Sequence, residues 1–411
     1  MATGFLFWLL AAHAVDASAV GLAAGAVSLM MLGTQFAIMG TGSAFILSHT
    51  KLADQRRQLL DATVTLVLLT SAGASAVALV LVGVLSEQLR PIATEPAFAA
   101  LFVAMTVLGT LGILLDHVSV ALERGAEVLV RNCAGGLLTA APLLAAPSVG
   151  WDVPAQGLFG LWVLGGALSC AIGARQLYRQ LDGYRYRPRL PRSLTRQLVR
   201  TGMPNHALTL VERSPNLLLP AVVTEVLSPE LNAYWYVAWM MAWAVLVIPV
   251  SVGLTLLAQV AKEPAAIRAG VRRAAQTGVV LGLVSAVAVA VVGPWVLQLL
   301  GQEYADAGTP PLRVLLLGVL PVLVIQLYFA VCRSASRVRE AVAAGAVTAI
   351  ASIVCTALAA SISGLLGMAC AWVVVQAISA VWAGCRLRVL LSSRRAEEAS
   401  AGLRASVGRP R

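Results

Sequence analysis

Apolar runs recur along the whole chain, and most are roughly 20 or more residues long, enough for a helix to cross a hydrocarbon core about 30 Å thick. Reading the runs against their breaks gives segments at 3–12 (short), 18–47, 62–86, 97–122, 126–147, 156–178, 202–227, 231–258, 275–300, 312–332, 341–361 and 364–385. Several breaks carry turn chemistry, among them Arg90-Pro91, Pro147-Ser148-Val149-Gly150, Ser228-Pro229 and Gly308-Thr309-Pro310-Pro311. The alternating ten-residue pattern of a transmembrane barrel is not found, which leaves helices as the spanning element. Only 12% of residues are charged, 59% are hydrophobic and the mean hydropathy is +0.84, a balance for a chain whose solvent is mostly lipid. The expected fold class is therefore all-α, a polytopic membrane protein of about 12 transmembrane helices.

The net charge of +11 does not point to nucleic acid, because the basic residues sit between the apolar runs. With the N-terminus placed inside and the segments alternating, 27 of the 30 Lys and Arg fall in inside loops. Arg90 and Arg313 fall outside, and Arg213 lies within a span. Positive charge resists translocation, so this asymmetry predicts a cell-membrane protein with both termini cytoplasmic. The stretch 179–200 is the most basic inside loop and divides six spans from six. The expected organisation is a lobe at 1–178, a basic cytoplasmic linker at 179–200, a second lobe at 201–391 and a disordered cytoplasmic tail at 392–411.

The first segment is too short to cross a bilayer unaided, and no basic residue precedes it. Ala12-His13-Ala14 resembles a signal-peptide cleavage site, but without a basic n-region the segment reads as a truncated first helix. The six cysteines lie singly in or beside apolar runs and the four histidines (His13, His49, His117, His206) are scattered, so no disulfide framework, metal site or cofactor is expected. No P-loop, HExxH, GxSxG or GxGxxG motif is present, and the loops are too short for a membrane-bound glycan ligase or polymerase, so the chain is not read as an enzyme.

The seventh segment, GMPNHALTLVERSPNLLLPAVVTEVL from Gly202, is the most informative. Glu212 and Arg213 lie about 16 Å along it at 1.5 Å per residue, close to mid-bilayer. Each such charge costs about 2.5–3.5 kcal/mol at a helix centre, so the pair should face protein or water. Asn205, Thr209, Glu212 and Asn216 share one helical face, and His206 and Arg213 lie one step around from it. Pro204, Pro215 and Pro220 permit bending. This stripe is expected to line a cavity; the competing reading is that the charges only neutralise partners and fix packing. Asp116-His117 at the inner end of the fourth segment is a second candidate. Asp61 at the inner start of the third suits the helix dipole. Tyr234-Trp235-Tyr236, Trp239 and Trp243 read as belt or packing aromatics before sugar contacts, and Gly40-Thr41-Gly42-Ser43-Ala44 as a close-approach patch.

The opening FWLLAAHAVDASAVGLAAGAVSLMMLGTQFAIMGTGSAFI resembles the first two helices of polysaccharide and O-antigen flippases of the multidrug/oligosaccharidyl-lipid/polysaccharide flippase superfamily. Leu217-Leu218-Leu219-Pro220, Leu227-Ser228-Pro229-Glu230 and Ala233-Tyr234-Trp235-Tyr236-Val237-Ala238-Trp239-Met240 are similar to their seventh-to-eighth helix region. The resemblance implies a MATE-like fold of two six-helix lobes around a central, often cationic, cavity that opens alternately to the two sides. It implies as substrate an undecaprenyl-pyrophosphate-linked oligosaccharide, with membrane lipid and glycan polymerase or ligase proteins as partners. Arg213 would then meet the pyrophosphate or an acidic sugar, and Glu212 would be a proton or ion site. An ion-coupled multidrug exporter of the same superfamily is the alternative. A major-facilitator transporter fits less well, since the loop at Asp54, Arg56 and Arg57 lacks that family's glycines.

Overall fold

The computed structural model describes residues 2–48, 55–149, 153–181, 183–262 and 267–407. His49, Lys51, Asp54, Gly150, Arg409 and Arg411 lie outside them, as does the side chain of Asn205. The described residues form helices and no strand: α1 Ala2–Ala14, α2 Ala17–Ile38, α3 Thr41–Ser48, α4 Arg56–Leu85, α5 Pro91–Thr94, α6 Pro96–Ala121, α7 Gly125–Val149, α8 Ala155–Gln180, α9 Arg192–Val226, α10 Pro229–Lys262, α11 Ile267–Leu300, α12 Gln302–Leu316, α13 Val319–Ser334 and α14 Val338–Val407. Each segment read from the sequence falls on a helix. Seven helices are long and apolar enough to cross a membrane alone, and α12 with α13, bent by 44°, makes an eighth. One of the seven, α14, breaks at Ser363 and Gly364, where Gly364 takes a left-handed φ of 60° and the chain turns back. The protein is an all-α, multi-pass membrane protein. Its outward faces agree: Val80, Leu81, Val84 and Leu85 on α4, and Val284, Val287, Val291 and Trp295 on α11, are exposed as lipid-facing residues should be.

Local chemistry sets the breaks. Asp16 caps α2 by accepting from the Ser18 amide at 3.0 Å, and its many hydrogen bonds there hold its carboxyl below the usual range. Pro91 and Pro96 open α5 and α6 at positions that need no amide donor. The Gly40 patch does more than allow close approach. Met39 and Gly40 both adopt positive φ, and this breaks the second segment into α2 and α3.

Only 183–191 of the stretch 179–200 is extended; Arg192 to Arg200 already belong to α9, where alternating Arg and Leu give an amphipathic face. From 392 the chain remains helical to Val407, since its Ala, Glu, Arg and Leu are strong helix formers.

Helices α1 to α8 and α9 to α14 make two lobes, joined along a seam where α2 meets α10. At the end holding α1–α2 and α9–α10 turns, one apolar cluster runs through both lobes and includes Trp8, Phe102, Trp235, Trp239 and Trp372. At the opposite, arginine-rich end the core is split. One cluster holds Ile38, Leu60, Leu114 and Val118 of the first lobe, and another holds Leu256, Leu323, Tyr328 and Ala383 of the second. The lobes are thus fused at one end and have separate cores at the other.

Candidate functional site

At the fused end the lobes meet in backbone contact. A Cβ on Gly21 would lie 1.5 Å from the Pro229 carbonyl oxygen, so only glycine allows α2 and α10 this close. Asn232 donates its side-chain amide to the Gly21 carbonyl at 2.8 Å. Glu225 at the end of α9 accepts from the Ser86 hydroxyl, from the Glu87 amide at 2.8 Å and from the Gln88 amide at 3.3 Å, all on the other lobe. Tyr234, Trp235, Tyr236 and Trp239 are buried in this seam, with Trp235 and Trp239 stacked at 5.7 Å, so they are packing residues and not an interfacial belt.

The polar stripe of α9 lies toward the split end. α9 starts ten residues before Gly202, so Glu212 lies near the middle of the helix. Glu212 bonds Arg333, which is in the last turn of α13, so the two lie level with that helix end. The Arg333 guanidinium donates to Glu212 at 3.0 Å, and both side chains keep a little solvent, 16% and 15% exposed. Glu212 is therefore paired with α13 and not with its neighbour Arg213, whose side chain is exposed. His206 is buried and donates from Nε2 to the Gln35 carbonyl of α2 at 2.8 Å, tying the stripe to the first lobe. It lies within electrostatic reach of Arg213 and of His117 on α6. Thr209 and Asn216 are half-buried on the same helix. His117 donates from Nδ1 to the Ile113 carbonyl at 2.7 Å, and a Cβ on Gly42 would meet its ring.

Asp116 does not join the stripe. It accepts from Arg131, a fully buried guanidinium on α7, and from Asn132 at 3.3 Å. Arg131 and Arg333 were both expected in inside loops. Each is instead folded against the bundle by a carboxylate on another helix, and sequence spacing gives no sign of either pairing. Asp61 is likewise more than a helix-dipole residue: it is buried and accepts from the Tyr184 hydroxyl at 2.7 Å and the Arg187 amide at 3.1 Å. Among the described residues no group of three His, Cys, Asp or Glu is placed to hold a metal ion.

These elements gather two His and two Arg, with one acid, at the arginine-rich end, close to where Gly202 of α9 lies against Gly40. No protein-family model matches the sequence, and no curated protein matches it at a significant level. Solved structures match across nearly all of it. An inward-facing multidrug resistance MATE family transporter of the MOP superfamily is 14% identical, covers 95% of each chain and superposes with a TM-score of 0.72. The lipid II flippase MurJ in an inward closed conformation is 11% identical, covers 94% of this chain and 85% of its own, with a TM-score of 0.75. This chain has the MOP transporter fold. A MOP superfamily transporter from Pyrococcus furiosus is 13% identical over 95% of this chain and 92% of its own, with a TM-score of 0.60. An outward-facing multidrug resistance MATE family transporter superposes at 0.63.

Proposed function

We propose that the chain is a flippase that moves an undecaprenyl-pyrophosphate-linked oligosaccharide across the cytoplasmic membrane by alternating access, with the arginine-rich end and both termini cytoplasmic. One observation carries the reading: Arg213, Arg333, His206 and His117 gather at the end where the two lobes have separate cores, while at the other end one apolar core runs through both. A glycan cannot cross lipid alone, since each unpaired polar group costs several kcal/mol there. An anionic pyrophosphate would enter from the arginine-rich end and meet the exposed Arg213 guanidinium, which suits bidentate phosphate contact. Glu212 holds Arg333 in place and is the candidate proton or ion site; Asn205, Thr209 and Asn216 offer hydrogen bonds to sugar hydroxyls.

The experiment is deletion of the gene followed by assay of lipid-linked oligosaccharide on the inner leaflet. Accumulation that a wild-type copy relieves, and an Arg213→Ala copy relieves at least about tenfold less well, supports the reading, tenfold being about 1.4 kcal/mol of binding. No accumulation sinks it. The alternative, an ion-coupled multidrug exporter, has its own support: the inward-facing MATE transporter is matched along 95% of its length. On that reading deletion raises drug susceptibility, Glu212→Gln abolishes the resistance, and the lipid-linked pool is unchanged.

A further inference from the structure

The segment 183–191 is the only long extended piece among the described residues, and it is strapped along α4. The Tyr184 hydroxyl and the Arg187 amide both donate to Asp61 Oδ1, at 2.7 and 3.1 Å. The Arg189 amide donates to Thr65 Oγ1 at 3.2 Å, the Tyr186 hydroxyl meets the same oxygen at 3.0 Å, and Arg57 donates to the Leu181 carbonyl at 2.9 Å. Burial and the Asp61 carboxylate push the Tyr184 phenol above its ordinary range, so it stays a donor. A linker needed only to connect two helices would not require a buried carboxylate to fix its backbone.

What the strap displays is charge. Arg185, Arg187 and Arg189 are exposed, and α9 continues the row with Arg192, Arg196 and Arg200 exposed at successive turns. Leu194 and Leu198 on the opposite side of the helix are buried in the first lobe's core. No acid occurs in the sequence between Gly183 and Val211, and none of these six side chains forms an ion pair among the described residues. Their mutual repulsion needs anions from outside the chain. The row sits at the ends of two membrane-spanning helices, where the nearest anions are lipid phosphates, and the planar guanidinium matches phosphate oxygens in pairs.

We propose that the strap 183–191 and the first turns of α9, held in register on α4 by Asp61 and Thr65, form a docking surface for the phosphodiester headgroups of anionic phospholipids. This goes beyond the transported substrate and holds for either transport reading. The strap is fixed to the first lobe and runs into a helix of the second, so bound headgroups stabilise one arrangement of the lobes.

The test uses the full-length chain purified from vesicles of phosphatidylcholine mixed with phosphatidylglycerol, with native mass spectrometry of the retained lipid. Wild type should retain phosphatidylglycerol over phosphatidylcholine by at least about tenfold, within what three arginine contacts supply. Arg185→Gln, Arg187→Gln and Arg189→Gln together should bring the ratio close to one. Asp61→Asn with Thr65→Val keeps every arginine and makes the chain more positive. If position matters the preference still falls severalfold, and hydrogen exchange of 183–191 quickens. A preference that survives the triple variant, or that rises in the Asp61 variant with net charge, overturns the proposal. Equal retention of both lipids by wild type also overturns it, whether or not the strap then binds an acidic protein.

Discussion

The two lobes turn their inner corners in the same way and use them differently. In the first lobe α6 ends in a left-handed Glu123 (φ 60°), and the Arg124 amide reaches back to the Ser119 carbonyl at 2.8 Å. In the second, α13 ends in a left-handed Ser336 (φ 56°), and the Arg337 amide reaches the Cys332 carbonyl at 2.8 Å. These are matching helix C-caps, and each is followed by an acid in the first turn of the next helix, Glu127 and Glu340, where the helix dipole favours it.

The charges built on these matching caps differ. Glu127 is met by the neutral amide of Gln180, whereas Glu340 is gripped by Arg386 at 2.6 and 3.2 Å and by Arg337 at 3.3 Å. Each lobe pairs its arginine within itself: the first holds Arg131 against Asp116, and the second holds Arg333 against Glu212 on α9, a helix that also contacts the first lobe. One lobe's ion pair is scaffold, and the other's belongs to the proposed site.

This contrast can be broken experimentally. The largest effect on stability is expected from Asp116→Ala, which leaves a fully buried guanidinium uncompensated and costs about 3 kcal/mol. The apparent Tm in detergent should fall steeply, and the replacement Asp116→Leu with Arg131→Met should recover most of it. Full stability after Asp116→Ala would show that the pair is not scaffold. Glu212→Gln should cost less, about 1–2 kcal/mol, because both partners keep some solvent. It should nonetheless abolish transport, so a variant with wild-type transport would remove Glu212 from the site. Glu340→Gln is expected to cost about 1 kcal/mol, reduced by exposure of its partners, with a difference that shrinks as salt is added. Glu127→Gln should cost about 0.5 kcal/mol and show a weaker salt dependence, since only the helix dipole and not a charged partner is lost. Equal salt sensitivity in the last two would erase the distinction between the corners.

Much of the helix layout was legible in the sequence because apolar run length and turn residues are local properties. The polar stripe of α9 was legible for the same reason: Glu212, Arg213 and Asn216 stand out against an apolar background. The partners were not. Arg333 is far from Glu212 in sequence, and nothing near it distinguishes an inside-loop arginine from a site residue. The role of Asp61 depends on a strap more than 120 residues away, and Gly21 reads as one more small residue until Pro229 is seen against it. Local pattern carries periodicity, whereas pairing between distant helices depends on how the lobes close.

Leu198 packs in the first lobe's core and Leu208 in the second's, with no interruption of α9 between them. The boundary between the lobes therefore passes through a continuous helix at the point where Gly202 touches Gly40. A pivot of that kind is stiff in torsion. In the transport cycle proposed above, a tilt of the lobes rolls α9 and turns Arg213 with it, so the angle of the gate and the direction of the anion contact become a single coordinate.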